Sequence, residues 1–317
     1  MTADAADRDG RSTVHRASPR RRHPWLASQI SWARRYAGAM PYFRFDGQRL
    51  AYTIYGRGPA TTVLLPGLLL SQKMQLPVAR ELAKRGNRVV TLDPLGHGAS
   101  DRPRDMWRYS MPAFAEQAVA LLDHLELDEA IVGGTSLGAN ITLEVASLAP
   151  ERLRGMIIEM PVLDNAIPAC AAAFAPLLLS LTFGEPVMRR VAQAARAVPR
   201  GRVPFLLGLG LDAIAQEPGP SAAVLQGIIF GRTAPHRTQR RKFEAPALVI
   251  GHPRDPVHPF SDADMLAAEL PKGRLIDASS IVELRLRPAR LTAKIADFVD
   301  DCWSGTERSR RRSRVAS

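Results

Sequence analysis

Ala130-Ile131-Val132-Gly133-Gly134-Thr135-Ser136-Leu137-Gly138-Ala139-Asn140-Ile141 is the stretch on which the reading of the whole chain turns. An apolar run ends in glycines and resumes as a helical pattern, so it reads strand, sharp turn, helix. Glycines two residues either side of Ser136 let the chain turn tightly enough to hold that serine above the end of a strand. The turn also sets the Leu137 N–H at a helix N-terminus, where it would stabilise the oxyanion formed when an acyl carbonyl is attacked. Glycine and serine are ordinary loop residues too, so the flanking strand and helix give the motif its weight.

Outward from this turn, strands and helices alternate. Two short β-prone runs, 42–45 and 48–55, are separated by Asp46-Gly47, a hairpin signal. Strand patterns follow at 62–65, 88–92, 130–132, 155–159, 247–250 and 274–276, and helical ones at 73–85, 112–125, 137–149, 262–270 and 288–303. Such alternation predicts an α/β fold, a mostly parallel sheet with helices on both faces and substrate at the carboxyl ends of the strands. Between 160 and 244 the alternation stops and apolar helical segments take over at 166–183, 186–197, 205–215 and 221–230. We read these as a helical cap inserted between the sixth and seventh strands. Leu177, Leu178, Leu179, Leu181 and Phe183 would roof the site, or fill the cap's own core. The organisation expected is a basic flexible segment at 1–40, a core in two parts at 41–160 and 245–304 flanking a cap at 161–244, and a basic disordered tail at 305–317.

Composition narrows the function classes. The chain has 317 residues, 46% of them apolar and 23% charged, enough for one large core with an insertion. Eight arginines against three aspartates in 1–35, and five arginines against one glutamate in 305–317, account for +9 of the net charge of +12. The body is therefore close to neutral, and the arginine runs read as solvated tails rather than a nucleic-acid site. Arg20-Arg21-Arg22 resembles part of an export signal, but Gln29, Ser31, Arg34 and Arg35 interrupt the segment that follows. Leu26, Ile30, Ala33 and Ala37 recur at helical spacing, as in a short helix lying on the domain or weakly on a lipid surface. No apolar run is long enough to cross a membrane. Cys170 and Cys302 fit neither a disulfide framework nor a metal motif. A cytoplasmic protein without metal or cofactor is expected, with its oligomeric state open.

The order of elements and four local motifs together resemble the α/β-hydrolase superfamily, in particular its capped, esterase-like members, over residues 42–299. Gly134-Thr135-Ser136-Leu137-Gly138 is similar to the nucleophile elbow, and Leu65-Pro66-Gly67-Leu68 to the oxyanion loop, with Pro66 at the usual histidine. Asp93 to Ser100 matches the Gly-His-Gly loop, in which His97 would be structural, and Gly251-His252-Pro253-Arg254-Asp255-Pro256 the loop bearing the acid. The resemblance implies Ser136 as nucleophile, backbone N–H groups of Leu137 and Leu68 as oxyanion donors, and Asp255 as the acid that orients a histidine.

That histidine is missing from its usual place. In the family the base follows the last strand, here Asp277-Ala278-Ser279-Ser280-Ile281-Val282-Glu283, and the expected position falls at Ser280 or Ile281. Three alternatives stand. His258, three residues past Asp255 and the last histidine in the chain, would supply an imidazole that titrates near neutrality. The base would be absent, leaving a pseudo-hydrolase that binds a ligand or a protein. Or Glu283 or Asp277 would act, a poor choice because an ordinary carboxylate is a weak base for serine. The leading expectation is a serine hydrolase of ester-like acyl bonds with a small apolar substrate.

Overall fold

The computed structural model describes residues 40–315, with side chains through residue 304; the expectations for 1–39, the basic segment and its short helix, lie outside the described residues. Among the described residues eight strands form one sheet in the order β1-β2-β4-β3-β5-β6-β7-β8. They are β1 (Tyr42–Phe45), β2 (Gln48–Tyr55), β3 (Thr61–Leu65), β4 (Arg88–Leu92), β5 (Ala130–Thr135), β6 (Leu153–Glu159), β7 (Ala247–Gly251) and β8 (Gly273–Asp277). Asp46 and Gly47, at φ 47° and 74°, make the β1–β2 hairpin turn, in which both central residues need positive φ. β1 pairs antiparallel with β2 and β2 antiparallel with β4; every pairing from β4 to β8 is parallel.

The central strands are buried on both faces, hence their unbroken apolar runs. Alternate residues feed two cores: Val63, Val132 and Val249 point into one, Leu64, Ile131 and Leu248 into the other. The first core is closed by α2 (Met111–His124), α3 (Leu137–Leu148) and α9 (Phe260–Glu269), the second by α1 (Leu76–Lys84) and α11 (Ala289–Val315). The helix expected over 73–85 is a 3-10 turn, Gln72–Gln75, followed by α1, because Pro77 fits the first turn of a new helix better than the interior of an old one. The tail expected to be disordered instead extends α11 to Val315. Arginine propagates a helix well once a packed segment has nucleated it.

Between β6 and β7 stand α4 (Ile167–Phe183), α5 (Glu185–Ala197), α6 (Phe205–Ile214), α7 (Pro218–Ile229) and the single turn α8 (Arg237–Arg240). They rise over the strand ends. Two buried side chains anchor them. Asp262 in α9 accepts from the N–H groups of Leu163, Asn165 and Ala166, and Asn140 in α3 donates to the carbonyls of Val162 and Thr233. Both ends of the insertion are thus tied to elements that also frame the site. The turn α10 (Glu283–Leu286) links β8 to α11.

Candidate active site

Ser136 sits between β5 and α3 at φ 54° and ψ −108°, a conformation an ordinary residue occupies only when its surroundings enforce it. The enforcement is visible. A Cβ on Gly138 would lie 2.5 Å from the Leu65 carbonyl oxygen, and one on Gly134 2.7 Å from Gly138 Cα. Only glycine lets α3 start this close to β3. The Ser136 N–H donates to the Glu159 carbonyl at 2.9 Å, while the side chain stays partly accessible.

The imidazole beside Ser136 comes from the loop after β7. His258 Nε2 lies 2.9 Å from Ser136 Oγ, across 122 residues of sequence, and His258 Nδ1 lies 2.9 Å from Asp255 Oδ2. A carboxylate only accepts, so Nδ1 carries the proton and Nε2 is left to accept from the serine hydroxyl. Asp255 builds the turn as well as orienting the ring: its Oδ1 accepts from the N–H groups of Val257 and His258 at 2.8 and 2.9 Å. Burial pushes the Asp255 carboxyl up, but these bonds and the His258 side chain outweigh it and hold it below the usual carboxylate range. The acid is therefore ionised at neutral pH.

The loop after β8 has a different occupation. Ser280 and Ile281 are exposed, and the Ser280 carbonyl accepts from His252 Nδ1 at 3.1 Å. Glu283 accepts from the N–H and hydroxyl of Ser279 and from Arg290, so it is committed to closing its own loop. Arg290 does most to hold its carboxyl down, at about 2, too weak a base for serine chemistry. Arg285 from α10 is buried and donates to Glu159 and Thr135, each at 2.6 Å; Thr135 also donates to Glu159 and accepts from Gln75 at 3.1 Å. Burial alone would raise Glu159, but Arg285 and His252 beside it bring the carboxyl down to about 2. This polar cluster under the elbow has no signature in the sequence, because Arg285 reads there as one more surface charge.

His97 stays apart from the chemistry. Its ring is buried edge-on against Phe114, Nδ1 donates to the Leu95 carbonyl at 3.0 Å, and burial lowers its pKa to about 4. The Cys170 thiol is pushed up by burial and is a poor nucleophile. Among the described residues no three His, Cys, Asp or Glu side chains converge as a metal cage requires.

A cavity of about 190 Å³ opens at Ser136, with Leu68, Leu137, Asn140, Phe174 and Leu225 in its wall. Leu137 opens α3, so its N–H has no acceptor within the helix, and Leu68 follows β3, the strand paired with β5. The two expected donors therefore border the same cavity as the serine. Of the two readings of the leucines, roof or cap core, the second holds for three of the five. Leu177, Leu178 and Leu181 pack in the cap's own core and Leu179 and Phe183 face outward, while Ile167, Cys170, Ala171, Phe174 and Ala175 of α4 line the cavity. α4 is apolar all round, so its periodicity cannot say which side faces inward. A larger cavity of about 460 Å³ lies near Lys73, Arg102 and Asp212, but it holds no serine–histidine pair.

The family model described as alpha/beta hydrolase fold matches residues 62–182. The enol-lactonase from Burkholderia xenovorans LB400 has the same fold, with a TM-score of 0.67 and 22% identity over 82% of this chain and 99% of that one. The chain has the alpha/beta-hydrolase fold. Over 105 residues this hydrolase-fold chain is 36% identical to a 2-hydroxymuconate semialdehyde hydrolase of Pseudomonas sp. (strain CF600). That similarity covers 33% of this chain and spans about a third (34%) of the Pseudomonas enzyme's length. An uncharacterised protein of Mycobacterium tuberculosis (strain ATCC 25618 / H37Rv) is 28% identical over 278 residues, 80% of this chain and 79% of that protein. Hydrolases are thus among its relatives.

Proposed function

We propose that the protein is a serine hydrolase that cleaves ester-like acyl bonds of small, apolar substrates, with Ser136 as nucleophile, His258 as base and Asp255 as the orienting acid. The observation that carries this reading is the pair of 2.9 Å contacts running from Ser136 Oγ through His258 to Asp255. A serine hydroxyl is inert until a base takes its proton, and these contacts supply one. Ser136 Oγ attacks the carbonyl carbon as its proton passes to His258 Nε2. The carbonyl oxygen takes the negative charge and lies against the Leu137 and Leu68 N–H groups. Collapse of this intermediate breaks the bond to the leaving alcohol, which takes the proton from His258, and an acyl group remains on Ser136. Water then repeats the sequence and releases the acid. Asp255 stays ionised throughout and stabilises the imidazolium.

The apolar cavity wall supports an apolar acyl group, and its volume supports a small one. The pseudo-hydrolase reading rested on a missing base, and an imidazole 2.9 Å from the serine favours the hydrolase over it. Hydrolysis of a short aryl ester by wild type and Ser136→Ala tests the proposal. Turnover that disappears in the variant supports it; equal turnover by the two proteins overturns it.

A further inference from the structure

The cap carries a surface that acyl transfer does not use. α4 is seventeen residues long without a single charge, a pattern that belongs inside a protein or against lipid. Its inner side is accounted for, since Phe174, Leu177, Leu178 and Leu181 pack against α7 residues and one another. Its outer side is not. Ala172, Pro176, Leu179 and Phe183 follow at i, i+4, i+7 and i+11, a single stripe, and all four are exposed, Leu179 by 56% and Phe183 by 81%. The chain then bends by 102° at Gly184, and on α5 Val187 and Val191, again four apart, are 63% and 41% exposed. Phe183 and Val187 are the members of the two stripes that flank the bend.

Charge indicates what covers them. Five arginines fall between 189 and 202, at Arg189, Arg190, Arg196, Arg200 and Arg202. Glu185 pairs with Arg189, Asp212 with Arg200, and Arg196 donates to the Ala215 carbonyl at 2.7 Å; Arg190, one turn from Val187 on the same side of α5, is exposed and has no ion pair among the described residues. We propose that this face of the cap docks on an anionic lipid surface, with Leu179, Phe183, Val187 and Val191 entering the headgroup boundary and Arg190 meeting lipid phosphates. Long arginine side chains reach headgroups while neighbouring apolar residues sit deeper. A second copy of the chain is the poorer occupant, because a two-fold contact would set one arginine-rich cap against another. No single helix among the described residues is long and apolar enough to cross a membrane; α4 and α5 reach that length and apolarity only together, across the 102° bend, and the contact proposed is one of surface.

α4 faces lipid on one side and, through Ile167 and Phe174, lines the cavity at Ser136 on the other. Docking would thus bring sparingly soluble esters to the nucleophile, a consequence that rests on the serine-hydrolase reading; the docking itself does not.

Co-sedimentation of the full chain with vesicles of phosphatidylcholine alone, or with one-third phosphatidylglycerol, tests the docking. Wild type is expected to partition at least tenfold better into the anionic vesicles. Leu179→Asp with Phe183→Asp should lower that partition tenfold or more, and Arg190→Glu severalfold, while turnover of a soluble aryl ester, which also reports that the variants fold, stays near wild type. Phe183→Trp keeps the surface apolar, and its emission should shift to the blue on anionic vesicles. Wild type left in the supernatant, full binding by the aspartate variant through the arginine tails, or a dimer in solution that the aspartate variant dissociates would each overturn the proposal. Loss of esterase turnover in Ser136→Ala with vesicle binding intact leaves it standing.

Discussion

The loops after β7 and β8 stand side by side on parallel strands, yet the proposed mechanism gives chemistry to only one of them. After β7, Asp255 bonds the backbone of Val257 and His258 and the His258 ring, and the ring reaches Ser136. After β8, where the resemblance places the base, Glu283 binds Ser279 and Arg290, and Arg285 turns inward to Glu159. What matters to the serine is an oriented imbalance of proton affinity at hydrogen-bond distance, and any loop that reaches the elbow can supply it. Once acid and base share a single turn, the neighbouring loop is free to become structural, and a buried ion pair takes its place.

The comparison breaks most easily at His258. His258→Ala should lower kcat roughly 10⁵-fold with little change in KM, since members of such a unit fail together. Adding Ser280→His to that variant should restore nothing, because residue 280 is exposed and its carbonyl is held by His252. Recovery to even a few per cent would mean that the two loops are interchangeable after all. Asp255→Asn comes next, with a loss of about 10⁴-fold, because the amide no longer selects the tautomer that leaves Nε2 to accept. Steady-state kinetics on one soluble ester reads all three.

Stability effects follow. Arg285→Met leaves the Glu159 carboxylate buried without its main partner and should cost about 3–5 kcal/mol by denaturant unfolding at neutral pH, well beyond its effect on KM. The pH dependence has a definite sign. Glu159 is held at about 2, below the ordinary glutamate value of 4.5, so its contribution is complete above pH 4.5 and is lost as pH falls towards 2. A shift of that size is worth on the order of 3 kcal/mol. Unfolding at pH 7 and pH 3 should show wild type losing part of that margin and Arg285→Met losing less. The smallest effect belongs to Glu283→Gln, about 1 kcal/mol from weakened hydrogen bonds, with turnover unchanged within about threefold. A collapse of turnover in that variant would return chemistry to the loop after β8.

Much of this was legible in the sequence, for reasons that differ by element. Buried parallel strands cannot tolerate interruption, so 62–65, 130–132 and 247–250 announced themselves, and only glycine satisfies the contacts at positions 134 and 138. His258 could be named only as one of three alternatives. Its reach to Ser136 depends on a turn closed by Asp255 Oδ1, and on two strand ends that the chain brings together across 122 residues. The inward face of α4 was not legible, because a helix without a charged residue and apolar on nearly every side carries no clear phase. Nor was the pairing of Arg285 with Glu159, which exists only through the packing of α10 beneath the elbow.

The rate at which a fluorophosphonate modifies Ser136 in wild type and in His258→Ala, followed by intact mass at neutral pH, tests the central claim most directly. A single adduct on Ser136 that forms at least a thousandfold more slowly without the imidazole is the result expected. Equal rates in the two proteins would mean that His258 does not activate the serine, and the account of the site would fall.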